Sequence, residues 1–270
     1  MNRTGILYGS YDPLTQKELE YARKIRRERH LDLLILVPSE KGVLARSERM
    51  RLLKRALMPY RRIACGNAVS GAVFEEDMPA VDEEEVRSGI FRLAACGIRK
   101  MLVEKGYYLE EMLDANCKKK RAAHSRAVAD LCRELAQASG VDEELAWRAG
   151  MLHDITKNRS EEWGRKVLEV HDPELLDMSP KVWHASTAAV WLKQETGITD
   201  RRMLEAIRNH TLGTGKSRLD RILYIADKCE RTRGYDSEKE IALAKKSLVE
   251  GAALVYAESE SYRLNKGGKP

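Results

Sequence analysis

The chain has 270 residues, of which 43% are hydrophobic and 33% are charged, a composition that builds folded cores and excludes a disordered or fibrous protein. Its 48 Lys and Arg residues against 42 Asp and Glu residues give a net charge of +6, which could favour a polyanionic ligand but does not require nucleic acid. A phosphorylated small molecule is equally compatible with this charge, and we expect no nucleic-acid partner. No apolar run approaches the roughly 18 residues of a membrane span and the start does not resemble a secretory signal, so we expect a cytoplasmic protein with no membrane partner.

The first hundred residues alternate short apolar runs with amphipathic segments. Buried strands are predicted at 5–8 and 31–37, with a helix over 16–29 between them, and this order is typical of a parallel sheet. A second helix is predicted over 47–57 and a further strand near 72–74. The first half is therefore predicted to be a small α/β domain of the Rossmann type.

From residue 107 onward, apolar residues recur with a period near 3.6 and strand patterns are absent, which predicts an all-α helical bundle. We place the domain boundaries at 1–106 for the α/β domain and 107–262 for the helical domain. Residues 263–270 are predicted to form a disordered tail.

Four of the six histidines lie where the apolar stripe of a predicted helix would otherwise continue. His124, for example, shares a helix face with Val128, Leu131 and Leu135, so its imidazole is predicted to point toward the core. The same reasoning applies to the other inward-facing polar residues, which are His153, His184, His210 and Asp227.

A single histidine on an apolar face is more often a core residue than a ligand. Five inward-facing polar residues on successive helices are better explained by a shared cation, because a buried carboxylate is costly unless it is paired or bound to a metal. Imidazole and carboxylate ligands without thiolate suit Fe, Mn, Zn or Co, and the sequence does not choose among them.

The order His124, His153-Asp154, His184, His210, Asp227 resembles the HD-domain metal phosphohydrolases. The surrounding segments are similar to the YqeK-like branch, the symmetrical bis(5'-nucleosyl)-tetraphosphatases, over about 107–255. These segments are GMLHDITK at 150–157, WHA at 183–185, IRNHTLG at 207–213 and IADK at 225–228.

This resemblance implies two divalent transition-metal ions, with iron as the first expectation and Mn, Co or Zn as alternatives. Asp154 would bridge the ions, with His124, His153 and Asp227 on one and His184 and His210 on the other. An activated water would then cleave diadenosine tetraphosphate into two ADP. Another nucleotide substrate stays open.

Four positions near this ligand set are candidate substrate contacts. Lys157 lies one turn beyond Asp154 and could reach a phosphate oxygen, which makes it a catalytic candidate beside Asp154. Thr211 and Gly213 follow His210 and could offer a hydroxyl and a backbone amide. Trp183 is the candidate for stacking on adenine.

The segment GSYDP at 9–13 resembles the start of nicotinate-nucleotide adenylyltransferases. That family continues with a His-x-Gly-His cluster that binds phosphate, whereas this chain has Thr15, Lys17 and Glu18 there, and Arg87 is the remaining basic candidate. We predict a degenerate domain with a structural, nucleotide-sensing or dimerising role, so that a homodimer stays open. An active adenylyltransferase with a helical accessory domain is the alternative.

Overall fold

The computed structural model describes residues 3–265 and divides them into two compact units. The first unit contains the residues up to Tyr108 together with Glu195–Gly197. The second contains Leu109–Gln194 and the residues from Ile198 onward. The predicted fold class, an α/β half followed by a helical half, is confirmed.

The first unit is built on a four-stranded sheet in the order β3-β2-β1-β4, and every pair of neighbours is parallel. Ile6, Ile35 and Val37 form one apolar cluster on the sheet, while Leu7 and Leu36 are fully buried. Burial on both faces explains the near-continuous apolar runs of the two central strands. The strands are β1 Thr4–Gly9, β2 Leu33–Pro38, β3 Ile63–Cys65 and β4 Phe74–Asp77.

The two outer strands are the elements that the sequence pattern predicted poorly. β3 has three residues, too few to show a period, and was not predicted. The strand predicted near 72–74 instead begins at Phe74 and continues through three acidic residues. Charged residues are common on an edge strand because they discourage pairing with other chains. The helices of this unit are α1 Gln16–Glu28, α2 Arg46–Leu57, α3 Glu83–Arg87 and α4 Arg99–Lys105.

The second unit is helical throughout the part that the structure describes. The predicted apolar rows are buried, as Val128, Leu131 and Leu135 on one helix show. The helices are α5 Leu109–Asn116, α6 Lys119–Ser139, α7 Glu143–Leu152, α8 Glu161–His171, α9 Pro180–Trp191, α10 Arg201–Asn209, α11 Arg218–Cys229, α12 Glu238–Lys246 and α13 Leu248–Asn265.

The close approach of α6 and α7 depends on a glycine. A Cβ atom at Gly150 would lie 2.5 Å from the Cα atom of Ala129, so only glycine lets the two backbones come this near. The spacing brings His124 on α6 next to His153 at the end of α7, with ring centroids 5.4 Å apart.

The last described helix, α13, runs to Asn265, so the first three residues of the predicted tail belong to a helix, and residues 266–270 lie outside the described part. Within residues 3–265, none of the helices combines the length and the apolar character needed to cross a membrane.

Candidate metal centre

Five elements of the helical unit bring the six predicted ligands to one buried cluster. His124 lies on α6, His153 and Asp154 follow α7, His184 lies on α9, His210 caps α10 and Asp227 lies on α11. Each of these residues is at most 9% exposed. Side chains separated by about a hundred positions therefore converge in one place.

Two groups within this cluster have the spacing of metal ligands. His124, His153 and Asp227 form the first group, and His153, Asp154 and His210 form the second, with the ligand atoms of each group within 4.8 Å of one another. His184 stands outside both groups. Its Nε2 nevertheless lies 2.9 Å from Asp154 Oδ1 and 3.2 Å from His210 Nε2.

The two oxygens of Asp154 face different parts of the cluster. Oδ2 lies 3.5 Å from His153 Nε2 and 4.0 Å from His124 Nε2. Oδ1 lies 2.9 Å from His184 Nε2 and 3.7 Å from His210 Nε2. One carboxylate thus stands between two sets of imidazoles, an arrangement that lets it contact two cations at once.

Hydrogen bonds on the outer nitrogens orient three of the four imidazoles. His153 and His210 donate from Nδ1 to the carbonyl oxygens of Gly150 and Ile207, at 2.7 and 2.6 Å. These bonds place the proton on Nδ1 and direct the Nε2 lone pair inward, as in metal-binding histidines. Nδ1 of His124 lies 2.9 Å from the Glu230 carboxylate, with Nε2 directed toward Asp227 Oδ1 at 3.1 Å.

The electrostatics of the cluster favour neutral imidazoles at His184 and His210 and an ionised carboxylate at Asp154, the states in which these groups bind metals. Burial lowers the pKa of His184 to about 4, and it also lowers the pKa of His210, so both imidazoles are neutral near pH 7. Although burial acts in the opposite direction, the neighbouring imidazoles, His153 first and then His184 and His210, hold the pKa of Asp154 well below its ordinary value.

The donor atoms of the cluster fit a divalent transition metal. His153 Nε2 and Asp154 Oδ1 are shielded from solvent and make no hydrogen bond of good geometry within residues 3–265. A buried nitrogen lone pair and a buried carboxylate oxygen are costly without a partner, and a shared cation would satisfy both. Imidazoles and carboxylates without thiolate suit Fe, Mn, Co and Zn alike.

Comparison with known proteins agrees with this ligand set. The family model described as HD domain matches residues 121–232. The symmetrical bis(5'-nucleosyl)-tetraphosphatase of Bacillus subtilis is 30% identical over 153 residues, which cover 56% of this chain and 82% of that protein. The chain belongs to the HD-domain family. It is a hydrolase of that family, and the residues that match the family model belong to the helical half of the chain.

Two further proteins are similar to this chain. A protein of Mycoplasma pneumoniae named probable nicotinate-nucleotide adenylyltransferase/Ap4A hydrolase is 32% identical over 169 residues, covering 58% of this chain and 48% of that protein. A crystal structure of a predicted HD superfamily hydrolase involved in NAD metabolism from Clostridium acetobutylicum is 27% identical. The structural match covers 60% of this chain and 88% of the Clostridium acetobutylicum chain, with a TM-score of 0.55.

Three cationic side chains at the cluster were not among the predicted site residues. Arg121 lies 2.7 Å from Asp154 Oδ2. Lys228 and Arg233 contact the two oxygens of Asp227 at 2.7 and 2.8 Å. Their side chains are between 28% and 34% exposed, so they can face both the cluster and the solvent. Arg121 could have been found because it precedes His124 by three positions on the same helix.

Of the predicted substrate contacts, Lys157 lies beside the cluster of metal ligands. Its Nζ donates to the carbonyl oxygen of Lys181 at 3.0 Å and lies 2.9 Å from His184 Nδ1. Thr211 is half-buried in the turn that directly follows His210, where its role in binding stays a prediction.

The other two predicted contacts, Trp183 and Gly213, are engaged in bonds within the helical unit, and their role in binding stays a prediction. Trp183 is 4% exposed and its Nε1 donates to the carbonyl oxygens of Leu175 and Met178. The amide of Gly213 donates to the carbonyl oxygen of Asn209 at 2.9 Å, so it closes the end of the helix. Gly213 has φ +66°, a backbone conformation that glycine adopts without strain.

Proposed function

We propose that this chain hydrolyses diadenosine tetraphosphate symmetrically, into two molecules of ADP, at a dinuclear metal centre. The observation that carries the proposal is the convergence of four imidazoles and two carboxylates with cationic side chains beside them. The names of the relatives from Bacillus subtilis and Mycoplasma pneumoniae support the choice of substrate.

In this proposal, the cluster holds two ions. His124, His153 and Asp227 would bind one, His210 and His184 the other, and Asp154 would contact both through its two oxygens. The ions, when bound, would supply Lewis-acid activation of water and neutralise the charge that develops on phosphate. Iron is our first expectation, and Mn, Co and Zn fit the same donors.

The cations beside the cluster would orient the phosphate chain. Lys157, Arg121 and Lys228 each reach the cluster through a contact shorter than 3 Å. Guanidinium and ammonium groups bind phosphate oxygens strongly when water is excluded. Attack by water on one of the two central phosphorus atoms forms a new P–O bond and breaks the central anhydride bond. One ADP carries the oxygen of that water, and the leaving ADP takes up a proton.

Adenylyltransferase activity is disfavoured by the bonds within the α/β unit. Thr15 and Glu18 form a reciprocal capping box at the start of α1, where the transferases have their phosphate-binding histidines. Asp12 is 1% exposed and accepts hydrogen bonds from the Leu44 amide and the Tyr108 hydroxyl, at 3.2 and 2.7 Å. These side chains are committed to internal bonds, so we assign this unit no transferase activity.

The test incubates anaerobically prepared, Fe(II)-loaded protein with diadenosine tetraphosphate and separates the products by anion exchange. ADP as the sole product is expected. Asp154→Ala should abolish turnover, whereas Lys17→Ala should retain it, because Lys17 pairs with Asp82 in the α/β unit. AMP together with ATP would reject symmetrical cleavage. An intact substrate with a fully metal-loaded protein would reject this substrate and direct attention to other nucleotides.

A further inference from the structure

A pocket of about 380 Å³ lies on the α/β unit, and arginine is its dominant lining residue. Three arginines come from the last turns of α1, and two come from the segment between α2 and β3. The lining contains no acidic residue. The arginines are Arg23, Arg26, Arg27, Arg61 and Arg62.

These five arginines lack the carboxylate partners that other arginines of the same unit have. Arg46, Arg51 and Arg87 each form an ion pair with a glutamate. Within residues 3–265, none of the five pocket arginines forms one, and the side chains of Arg61 and Arg62 make no hydrogen bond either. Five like charges around one pocket repel one another, and a bound anion would relieve that repulsion.

Local contacts hold three of the guanidinium groups in place. Arg23 lies over the ring of Tyr60, 5.5 Å from its centroid. Arg26 donates to the carbonyl oxygen of Leu31 and Arg27 to that of Arg23, both at 3.3 Å. Side chains that are already ordered lose less conformational entropy when they bind a ligand.

The pocket lies at the opposite edge of the sheet from the turn that resembles an adenylyltransferase. Its lining includes Ile63, the first residue of β3, so it lies at the amino-terminal edge. The resembling turn follows Gly9, the last residue of β1, at the carboxyl edge where α/β sheets usually bind ligands. The pocket is therefore distinct from the degenerate transferase site.

We propose that this arginine pocket binds a linear chain of phosphate groups, as in inorganic triphosphate or a nucleoside triphosphate. Guanidinium groups match phosphate oxygens in bidentate geometry, and several of them suit an anion with several charges better than a single phosphate. Arg23 covers one face of the Tyr60 ring, so that face is not available for stacking on a base. Recognition thus depends on the phosphate chain, and the nucleoside contributes little.

The test is calorimetric titration of the full chain, without added metal, with sodium tripolyphosphate, ATP, AMP and an oligouridylate. We expect tripolyphosphate and ATP to bind alike, and AMP to bind much more weakly. Arg61→Gln/Arg62→Gln should weaken tripolyphosphate binding by roughly tenfold or more, since two charge-assisted contacts are lost. Arg61→Lys/Arg62→Lys, which keeps the charge and removes the planar fork, should give an intermediate loss.

The matched control is Lys105→Gln/Lys239→Gln, which removes two charges from exposed positions outside the pocket. Its affinity for tripolyphosphate should equal that of the wild type, and the circular dichroism spectra of all variants should coincide. An equal loss of affinity in the control would overturn the proposal, because binding would then follow net charge alone. Tighter binding of the oligouridylate than of tripolyphosphate would also overturn it, in favour of a nucleic-acid surface.

Discussion

At the scale of single residues, Glu230 links the end of α11 to the metal cluster. It is 1% exposed, and its two oxygens contact His124 Nδ1 at 2.9 Å and the Thr232 amide at 2.6 Å. A carboxylate on the outer nitrogen fixes the ring orientation of a metal-binding histidine and makes it a better ligand. Glu230 is therefore a positioning residue for His124.

We expect Glu230→Ala to weaken metal binding by about 10- to 100-fold, the usual loss when such a partner is removed. Glu230→Gln should recover part of this loss, because its amide oxygen can still accept from His124. The measurement is the Mn²⁺ dissociation constant by titration calorimetry. Glu238→Ala is the control, since Glu238 is an exposed partner of Arg231. An unchanged Mn²⁺ affinity in Glu230→Ala would contradict the positioning role.

Glu18 is a second buried carboxyl group, in the α/β unit, with a consequence for pH. Burial and then the charge of neighbouring Glu83 raise the pKa of Glu18 to about 8. In the unfolded chain this pKa returns to its ordinary value near 4.3. Between these two values the folded protein holds a proton that the unfolded chain has lost, so stability falls as the pH rises and levels off above about 8.

Glu18→Gln should remove this pH dependence. A glutamine keeps the acceptor of the capping box and carries no charge. The variant should melt at a higher temperature than the wild type at pH 8 and at nearly the same temperature near pH 4, as followed by calorimetry. Glu20→Gln, which changes an exposed residue on the same helix, should have the melting temperature of the wild type at both pH values. If the melting temperatures of Glu18→Gln and wild type differed by the same amount near pH 4 and at pH 8, the pKa of Glu18 would not be raised by folding, and Glu18 would be ionised in the folded protein at pH 8.

At the scale of secondary-structure elements, the contact between α6 and α7 sets the spacing of the metal ligands. Gly150→Ala would place a methyl group 2.5 Å from the Ala129 Cα atom, so the backbone of one of the two helices would have to move to accommodate it. Overpacking of this kind costs about 1–3 kcal/mol. Because His124 lies on α6 and His153 directly follows α7, separation of the two helices should also reduce the amount of bound metal.

The control for this change is Gly164→Ala on α8. A methyl group there would meet the Trp183 ring at 3.6 Å, an ordinary contact, and alanine favours a helix over glycine by up to about 1 kcal/mol. Gly164→Ala should therefore keep or raise the melting temperature, measured by thermal denaturation. It should also keep the full metal content, measured by inductively coupled plasma emission spectroscopy. Equal behaviour of the two variants would contradict the close-packing argument.

At the scale of the whole molecule, the four tryptophans all lie in the helical unit, so their fluorescence reports the unfolding of that unit. Mn²⁺ at about 100 times its dissociation constant should stabilise the folded unit by about 2.7 kcal/mol, since the ligand set exists only when the helices are packed. The unfolding midpoint followed by tryptophan fluorescence should rise accordingly.

Asp154→Ala is the comparison for this experiment, because it removes the carboxylate that stands between the two sets of imidazoles. Its midpoint should respond to Mn²⁺ much less than that of the wild type, and excess chelator should reverse the wild-type shift. A shift of the same size in Asp154→Ala would mean that Mn²⁺ acts at other sites.

The amino-acid sequence by itself determined the periodicity of the elements and the inward position of the histidines. Apolar rows that include His124 or Asp227 point in one direction whatever the neighbouring helices do, because the helical repeat fixes which residues share a face. The buried central strands were predictable for a different reason, because strands covered on both faces have near-continuous apolar runs. The bounds of the charged edge strand β4 and the existence of the three-residue β3 were not predictable, since the pairing of both strands depends on neighbours far away in the chain.

Tertiary structure alone decided which partners these side chains meet. Glu230 reaches His124 across 106 positions, and the burial of Trp183 follows from packing that no local pattern shows. The arginine pocket joins α1 to the segment before β3, two stretches whose charges look like ordinary solvated faces when read separately. Distance along a chain does not limit a contact in the folded state, so long-range partners become visible only when the helices and strands are packed.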